Sequence, residues 1–121
     1  MKIRILLAII AITLMPAIAA EKAPWKVGVA TAVITPQRPM LMSGYAARKA
    51  PATGKDQDLF GKALAVEDQK GNRVVFITLD LIGVTAELRK AVEQGVREKY
   101  KLPAHALVMN ASHTHCGPAY G

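Results

Sequence analysis

Two histidines separated by a single residue lie close to the C-terminal end of the sequence. They belong to residues 112–118, which read SHTHCGP. Neutral imidazole is a good ligand for Zn²⁺, and a His-x-His pair at the end of a strand is a common start of a mononuclear zinc site. In extended backbone, residues i and i+2 point to the same face, so we expect the rings of His113 and His115 to lie side by side.

The pair does not make a complete zinc site, since zinc takes three or four ligands and the others must come from elsewhere. The metallo-β-lactamase motif needs Asp-His after the pair, where this sequence has Cys116 and Gly117. Metal-dependent amidohydrolase barrels carry His-x-His at the end of their first strand, whereas here several predicted elements come first. On spacing alone, metal binding and a chance pair of surface histidines both remain open.

Other residues carry two interpretations each. Cys116 is either a free thiol or a ligand or nucleophile, and no second His-Asp relay is visible that would activate a cysteine nucleophile. Asp80, at the end of a predicted strand, either orients a ligand histidine or caps the strand. His105 is predicted to be a surface residue. Trp25 and Tyr45 are expected in the core rather than in a lipid pocket.

The elements that must position these residues are visible as hydrophobic patterns. Strand patterns occur at residues 26–34, 64–67, 73–81 and 106–111. The turn sequence at residues 68–72 predicts a hairpin between the second and third strands. Residues 85–100 form the clearest helix, with an apolar stripe at i, i+4 and i+8 and Thr85 as its N-cap. The order β-β-β-α-β predicts an α/β fold with a mixed sheet. Residues 36–58 form a long connection, and long connections are often functional.

The N-terminus has the three parts of a secretory signal peptide. Lys2 and Arg4 precede an apolar run at residues 5–14, and residues 17–19 supply the small residues of a cleavage site. We therefore predict a signal peptide at residues 1–19 and an exported product, periplasmic or secreted. Cleavage after Ala20 is an alternative, and so is an uncleaved anchor, although the run is short for a membrane span.

Composition excludes several classes of function. The chain has 121 residues, of which 51% are hydrophobic, with a net charge of +7 and one cysteine. A disordered tail, an internal disulfide framework and a Cys-rich zinc module are therefore excluded. The basic residues are dispersed without interleaved aromatic residues, which argues against binding to nucleic acid. The charge is compatible with a peripheral contact to anionic membranes, and it indicates no oligomeric state.

Four ordered segments resemble the N-terminal part of the neutral/alkaline non-lysosomal ceramidases. They are residues 27–36 (VGVATAVITP, like the family's GxGxxDITP), 42–46 (MSGYA, like MxGYA), 59–66 with 73–80, and 112–118 (SHTHCGP, like THTHSGP). The likeness covers roughly residues 25–121, and the order and separation of the segments make it specific. Two departures are Ala32 in place of the family's Asp and Cys116 in place of its Ser.

The resemblance implies a zinc-dependent amidase that splits the amide of ceramide into sphingosine and a fatty acid, with Zn²⁺ as cofactor and a ceramide-like lipid as substrate. It implies that His113 binds the metal, that His115 lies in the catalytic site, and that Gly44 contacts the substrate. The family's other ligands, a histidine, a glutamate and a tyrosine, lie further downstream. Residues 20–121 are therefore expected to be the N-terminal segment of a larger, here truncated, zinc hydrolase domain.

Two other functions remain open at this stage. The first is an exported relative that keeps the fold and acts on a different amide or ester. The second is a non-catalytic fragment that binds metal or lipid, because two imidazoles alone hold zinc weakly.

Overall fold

A computed structural model describes residues 23–120 of the chain. Four strands form one sheet in the order β1-β2-β3-β4, and a helix connects the last two. The elements are β1 (Trp25–Val33), β2 (Phe60–Asp68), β3 (Arg73–Leu79), α1 (Ala86–Tyr100) and β4 (Leu107–Ala111). The first three strands pair antiparallel and β4 lies parallel to β3, so the predicted α/β fold with a mixed sheet is confirmed.

The β2–β3 hairpin has the turn that its sequence predicts. The carboxylate of Asp68 accepts hydrogen bonds from the backbone N–H groups of Lys70 and Asn72 and from the Asn72 side chain. Gly71 has a φ of +85°, which favours glycine. These bonds lower the pKa of the Asp68 carboxyl, and the Asn72 side chain contributes most. The strand β2 begins four residues earlier than predicted, because Phe60–Ala63 pairs with the end of β1.

The helix lies in the crossover between β3 and β4. Thr85 is its N-cap, and its hydroxyl accepts a hydrogen bond from the backbone N–H of Leu88. Lys101 ends the helix in the left-handed conformation. The core lies between the helix and one face of the sheet; its buried and half-buried members are Leu102, Ala106, Leu107, Val75, Ile77, Val92, Val96 and Met109.

The other face of the sheet is apolar and open to solvent among the described residues. Strand alternation and register place on it Trp25, Val27, Val29, Val33, Leu64, Val74, Phe76 and Val108, all substantially exposed. We call these residues the open sheet face. Trp25 is 58% exposed, so its predicted place in the core is wrong.

Within residues 23–120, no helix has the length and hydrophobicity needed to span a bilayer. The predicted signal peptide at residues 1–19 lies outside the described residues.

Candidate functional site

The His-x-His pair lies just beyond the end of β4, on a loop that continues to follow β3. The backbone N–H of Ser112 donates to the Leu79 carbonyl at 2.9 Å, and that of Thr114 donates to the Leu81 carbonyl at 3.2 Å. His113 has a φ of 60° and is therefore not in extended conformation. The two imidazoles nevertheless lie close together, with ring centroids 5.3 Å apart and an angle of 62° between the ring planes. The loop conformation, rather than strand alternation, brings them together.

The ring of His113 is oriented by a backbone carbonyl. Its Nδ1 lies 2.8 Å from the Ile82 oxygen. A carbonyl oxygen can only accept, so Nδ1 carries the hydrogen, and in neutral imidazole the lone pair is then on Nε2. Histidine ligands of metals are typically fixed in this way, with one ring nitrogen donating to a carbonyl while the other faces the metal. The His113 ring is exposed, so Nε2 is accessible.

His115 lies against the long connection, directly over Gly44. An added Cβ at Gly44 would lie 2.5 Å from both Cγ and Nδ1 of His115, and the φ of Gly44 is +70°. Only glycine fits this position without displacing the imidazole. The ring of Tyr45 meets the His115 ring edge-on, with centroids 4.9 Å apart. Tyr45 is 62% exposed, so its predicted place in the core is also wrong.

Backbone pairing fastens the long connection to the histidine loop. The N–H of Ser43 donates to the Gly117 carbonyl at 2.9 Å, and the N–H of Ala119 donates to the Leu41 carbonyl at 2.7 Å. The buried Ser43 hydroxyl donates to the Pro118 carbonyl at 2.7 Å. Together these bonds form a short antiparallel ribbon between residues 41–43 and 117–119, which holds Gly44 against His115.

Arg48 adds a side-chain link between the same two segments. Its Nη1 donates to the carbonyl of Ser43 at 3.1 Å and to the carbonyl of His115. Its guanidinium carbon lies 4.9 Å from the centroid of the Tyr45 ring. Sequence analysis did not single out Arg48, because nothing local indicates a partner 67 residues away.

Asp80 caps the sheet instead of touching either histidine. Its carboxylate accepts a hydrogen bond from the N–H of Phe60 at 2.9 Å, and its own N–H donates to the Phe60 carbonyl at 2.9 Å. Of the two interpretations drawn from the sequence, the structure therefore supports the strand-end cap. His105 is exposed, as predicted, on a short 3₁₀ turn before β4.

A cavity of about 530 Å³ lies between the long connection and the histidine loop. Thr114 and Cys116 form part of its wall, together with Met40 and Met42. Neither histidine lines it. Cys116 is a free, exposed cysteine whose N–H donates to the Thr114 hydroxyl.

The donor set fits part of a zinc site. His113 offers an oriented imidazole nitrogen, and His115 lies beside it. Within residues 23–120, no group of three or more His, Cys, Asp or Glu side chains is arranged to hold a metal. A zinc ion held by His113 would therefore need further ligands from outside these residues. Tyr120 lies near the loop, where its hydroxyl donates to the Gly83 carbonyl at 3.3 Å. Partial burial raises the pKa of that hydroxyl.

Comparison with known proteins agrees with this fold and this loop. Residues 25–120 match the family model described as neutral/alkaline non-lysosomal ceramidase, N-terminal. The neutral ceramidases of Drosophila pseudoobscura pseudoobscura and Drosophila melanogaster are each 34% identical over 99 residues, which is 79% of this chain and 14% of theirs.

Solved structures give the same result. The neutral ceramidase from Pseudomonas aeruginosa superposes with a TM-score of 0.73 at 25% identity, over 79% of this chain and 16% of that one. A ceramidase complexed with C2 gives 0.71 at 25% identity, with the same coverage. The present chain thus spans a small N-terminal share of these relatives. The match over residues 25–120 shows that the chain belongs to the neutral/alkaline non-lysosomal ceramidase family.

Proposed function

We propose that this chain carries the N-terminal part of the active site of a zinc-dependent amidohydrolase of the neutral ceramidase type. The reaction is hydrolysis of the amide of ceramide to sphingosine and a fatty acid. The observation that carries the proposal is the hydrogen bond from His113 Nδ1 to the Ile82 carbonyl, which leaves the Nε2 lone pair exposed beside a second imidazole. Family membership supports the choice of substrate class.

His113 is the metal ligand in this proposal, and the other ligands come from beyond the described residues. Zinc in such a site supplies Lewis-acid polarisation of a carbonyl and makes water acidic, toward a pKa of ~7. His115 orients the substrate or moves a proton at its imidazole, because it lies next to His113 without the same carbonyl partner. Gly44 lies directly against the ring of His115. In this proposal the backbone of Gly44 contacts the substrate.

The test uses the longest product that the gene encodes, with zinc content and ceramide hydrolysis measured on each variant. His113→Ala is expected to lose stoichiometric zinc and to lower turnover by about 100-fold or more. His115→Ala is expected to keep zinc and to lower kcat by roughly 10²- to 10⁴-fold, the range of general acid–base catalysis. His105→Ala is the matched control, because His105 is an exposed histidine outside the site and should change neither quantity.

The outcomes separate the alternatives. If His113→Ala keeps both zinc and activity, the ligand assignment is wrong. Stoichiometric zinc without ceramide turnover would instead favour a relative that acts on a different amide or ester. A product that has neither zinc nor turnover would favour a non-catalytic protein that keeps the fold.

We further propose that residues 1–19 direct export, so that the mature protein is periplasmic or secreted and meets its lipid substrate at a membrane surface. The basis is the charged, apolar and small-residue order of the N-terminus. Sequencing the N-terminus of the exported protein should give Ala20 as the first residue, or Glu21 if cleavage follows Ala20. An intact Met1 on the exported protein would contradict cleavage and favour an anchor.

A further inference from the structure

The side chain of Arg48 bridges the two segments that form the site. One nitrogen, Nη1, donates both to the Ser43 carbonyl and to the His115 carbonyl. The guanidinium also lies over the ring of Tyr45, whose edge contacts the His115 imidazole. The Arg48 side chain therefore contacts the backbone of His115 directly and the His115 ring indirectly, through Tyr45.

The imidazole of His115 is already restricted on two sides. Gly44 lies so close beneath it that even one added carbon would overlap the ring, and Tyr45 covers its edge. Rotation of the His115 side chain is therefore limited. The ring can still shift if the backbone of His115 moves. The hydrogen bond from Arg48 acts at this point, because it holds the carbonyl of His115 itself.

The partners of the Arg48 guanidinium distinguish it from the other paired cations. In the described part of the chain, the ion pairs join Lys26, Lys55, Arg73 and Arg89 to carboxylates. Arg48 instead uses its charge on two backbone carbonyls and an aromatic face, and it is half-buried. Hydrogen bonds from a charged donor are stronger than neutral ones, so this arrangement fixes the backbone of both segments firmly.

We propose that Arg48 is a positioning residue for His115, which holds the imidazole at a fixed place beside His113. This inference rests on the proposed function for its effect on catalysis, while its effect on the histidine loop can be measured without any substrate. Misplacement of a reacting group by about 1 Å can cost roughly 10²-fold in rate. Loss of Arg48 should therefore act on kcat rather than on zinc binding.

The experiment compares Arg48→Met, Arg48→Lys and Lys49→Met in the longest product that the gene encodes. Arg48→Met should keep stoichiometric zinc, lower kcat by about 10- to 100-fold and change KM by less than about threefold. Arg48→Lys should recover most of kcat, because a single nitrogen makes both hydrogen bonds and an ammonium has three donors. Lys49→Met removes the same charge from the neighbouring exposed residue and should leave every quantity unchanged.

Hydrogen exchange of the peptide that covers residues 112–120 provides the substrate-independent measurement. Arg48→Met should speed exchange in this peptide by about tenfold or more, and Lys49→Met should not. If the parent protein does not hydrolyse ceramide, the proposed function fails, and the exchange rates still decide whether Arg48 holds the loop. The inference is overturned if Arg48→Met leaves kcat and exchange within about twofold of the parent, or if it loses zinc and fold together.

Discussion

At the scale of single residues, the site depends on His115 lying directly over Gly44 of the long connection. Gly44 has a positive φ, and its missing side chain is the space that the imidazole occupies. Two separate requirements, backbone conformation and room for the ring, therefore select glycine at this position.

We predict that Gly44→Ala lowers the free energy of unfolding by about 2–5 kcal/mol, as the sum of left-handed strain and overpacking. It should also displace His115 and, under the proposed function, reduce ceramide hydrolysis by the longest product that the gene encodes. Urea denaturation and turnover measure the two effects. Gly71→Ala is the matched control, because Gly71 also has a positive φ while an added Cβ there meets nothing within 4 Å. Equal loss of stability in both variants would show that the ring contact contributes nothing.

A site residue could be predicted from the sequence when the pattern that identifies it lies close to it along the chain. The spacing of His113 and His115 is local, so the sequence pointed to both. The resemblance pointed to Gly44, but no local pattern shows that it lies beneath His115. The roles of Tyr45 and Arg48 depend on pairing between segments about 70 residues apart. Such pairing is decided by tertiary structure, and one sequence contains no direct signal for it.

At the scale of elements, the sequence predicted strands and helix well where the hydrophobic period was clear. The helix begins and ends within one residue of its expected bounds, because an N-cap and an i, i+4 stripe agree. The start of β2 was missed, because Gly61, Lys62 and Ala63 lack strand propensity. They form a strand because the end of β1 and the end of β3 pair with them on both sides.

At the hairpin end of β2 and β3, charged side chains on the three antiparallel strands form ion pairs across the sheet. Glu67 on β2 accepts hydrogen bonds from Lys26 on β1 and Arg73 on β3, and these lower the pKa of its carboxyl below the ordinary value of 4.5. A carboxylate with a lowered folded-state pKa stabilises the fold above its unfolded pKa. That contribution is lost as the pH falls through the folded-state value.

We therefore predict that the free energy of unfolding falls less steeply between about pH 5 and pH 3 in Glu67→Gln than in the parent. The effect should be small, because the partners Lys26 and Arg73 are exposed and solvent screens both pairs. Thermal or urea denaturation across this pH range measures it. Asp56→Asn is a suitable control, since the structure gives Asp56 no ion pair within residues 23–120. The same pH slope in Glu67→Gln and the parent would contradict the prediction.

At the scale of the whole molecule, the sheet has one face packed on the helix and one face open. The open sheet face contains eight large apolar side chains in the described part of the chain, and Val29 is 81% exposed. A contiguous apolar surface of this kind promotes association when nothing covers it.

We predict that a chain of residues 20–121 self-associates in solution, and that Val29→Lys weakens this association by about tenfold or more. A charge in the middle of the apolar face must be desolvated on contact, which is costly. Sedimentation velocity over a range of concentrations measures it. Ala30→Lys is the control, because the Ala30 side chain points to the other face of the sheet and is exposed there. A monomer at all concentrations would contradict the prediction.

The ribbon that joins residues 41–43 to 117–119 also has a consequence for folding kinetics. Its contacts span up to 75 residues, whereas the hairpin and the helix close over short distances. Contacts of high sequence separation form late, since the chain must first lose the entropy of closing a long loop. His115 should therefore reach Gly44 only after β4 has docked beside β3. The seat of His115 over Gly44 would then be completed in the final step of folding, after the helix and the hairpin have formed.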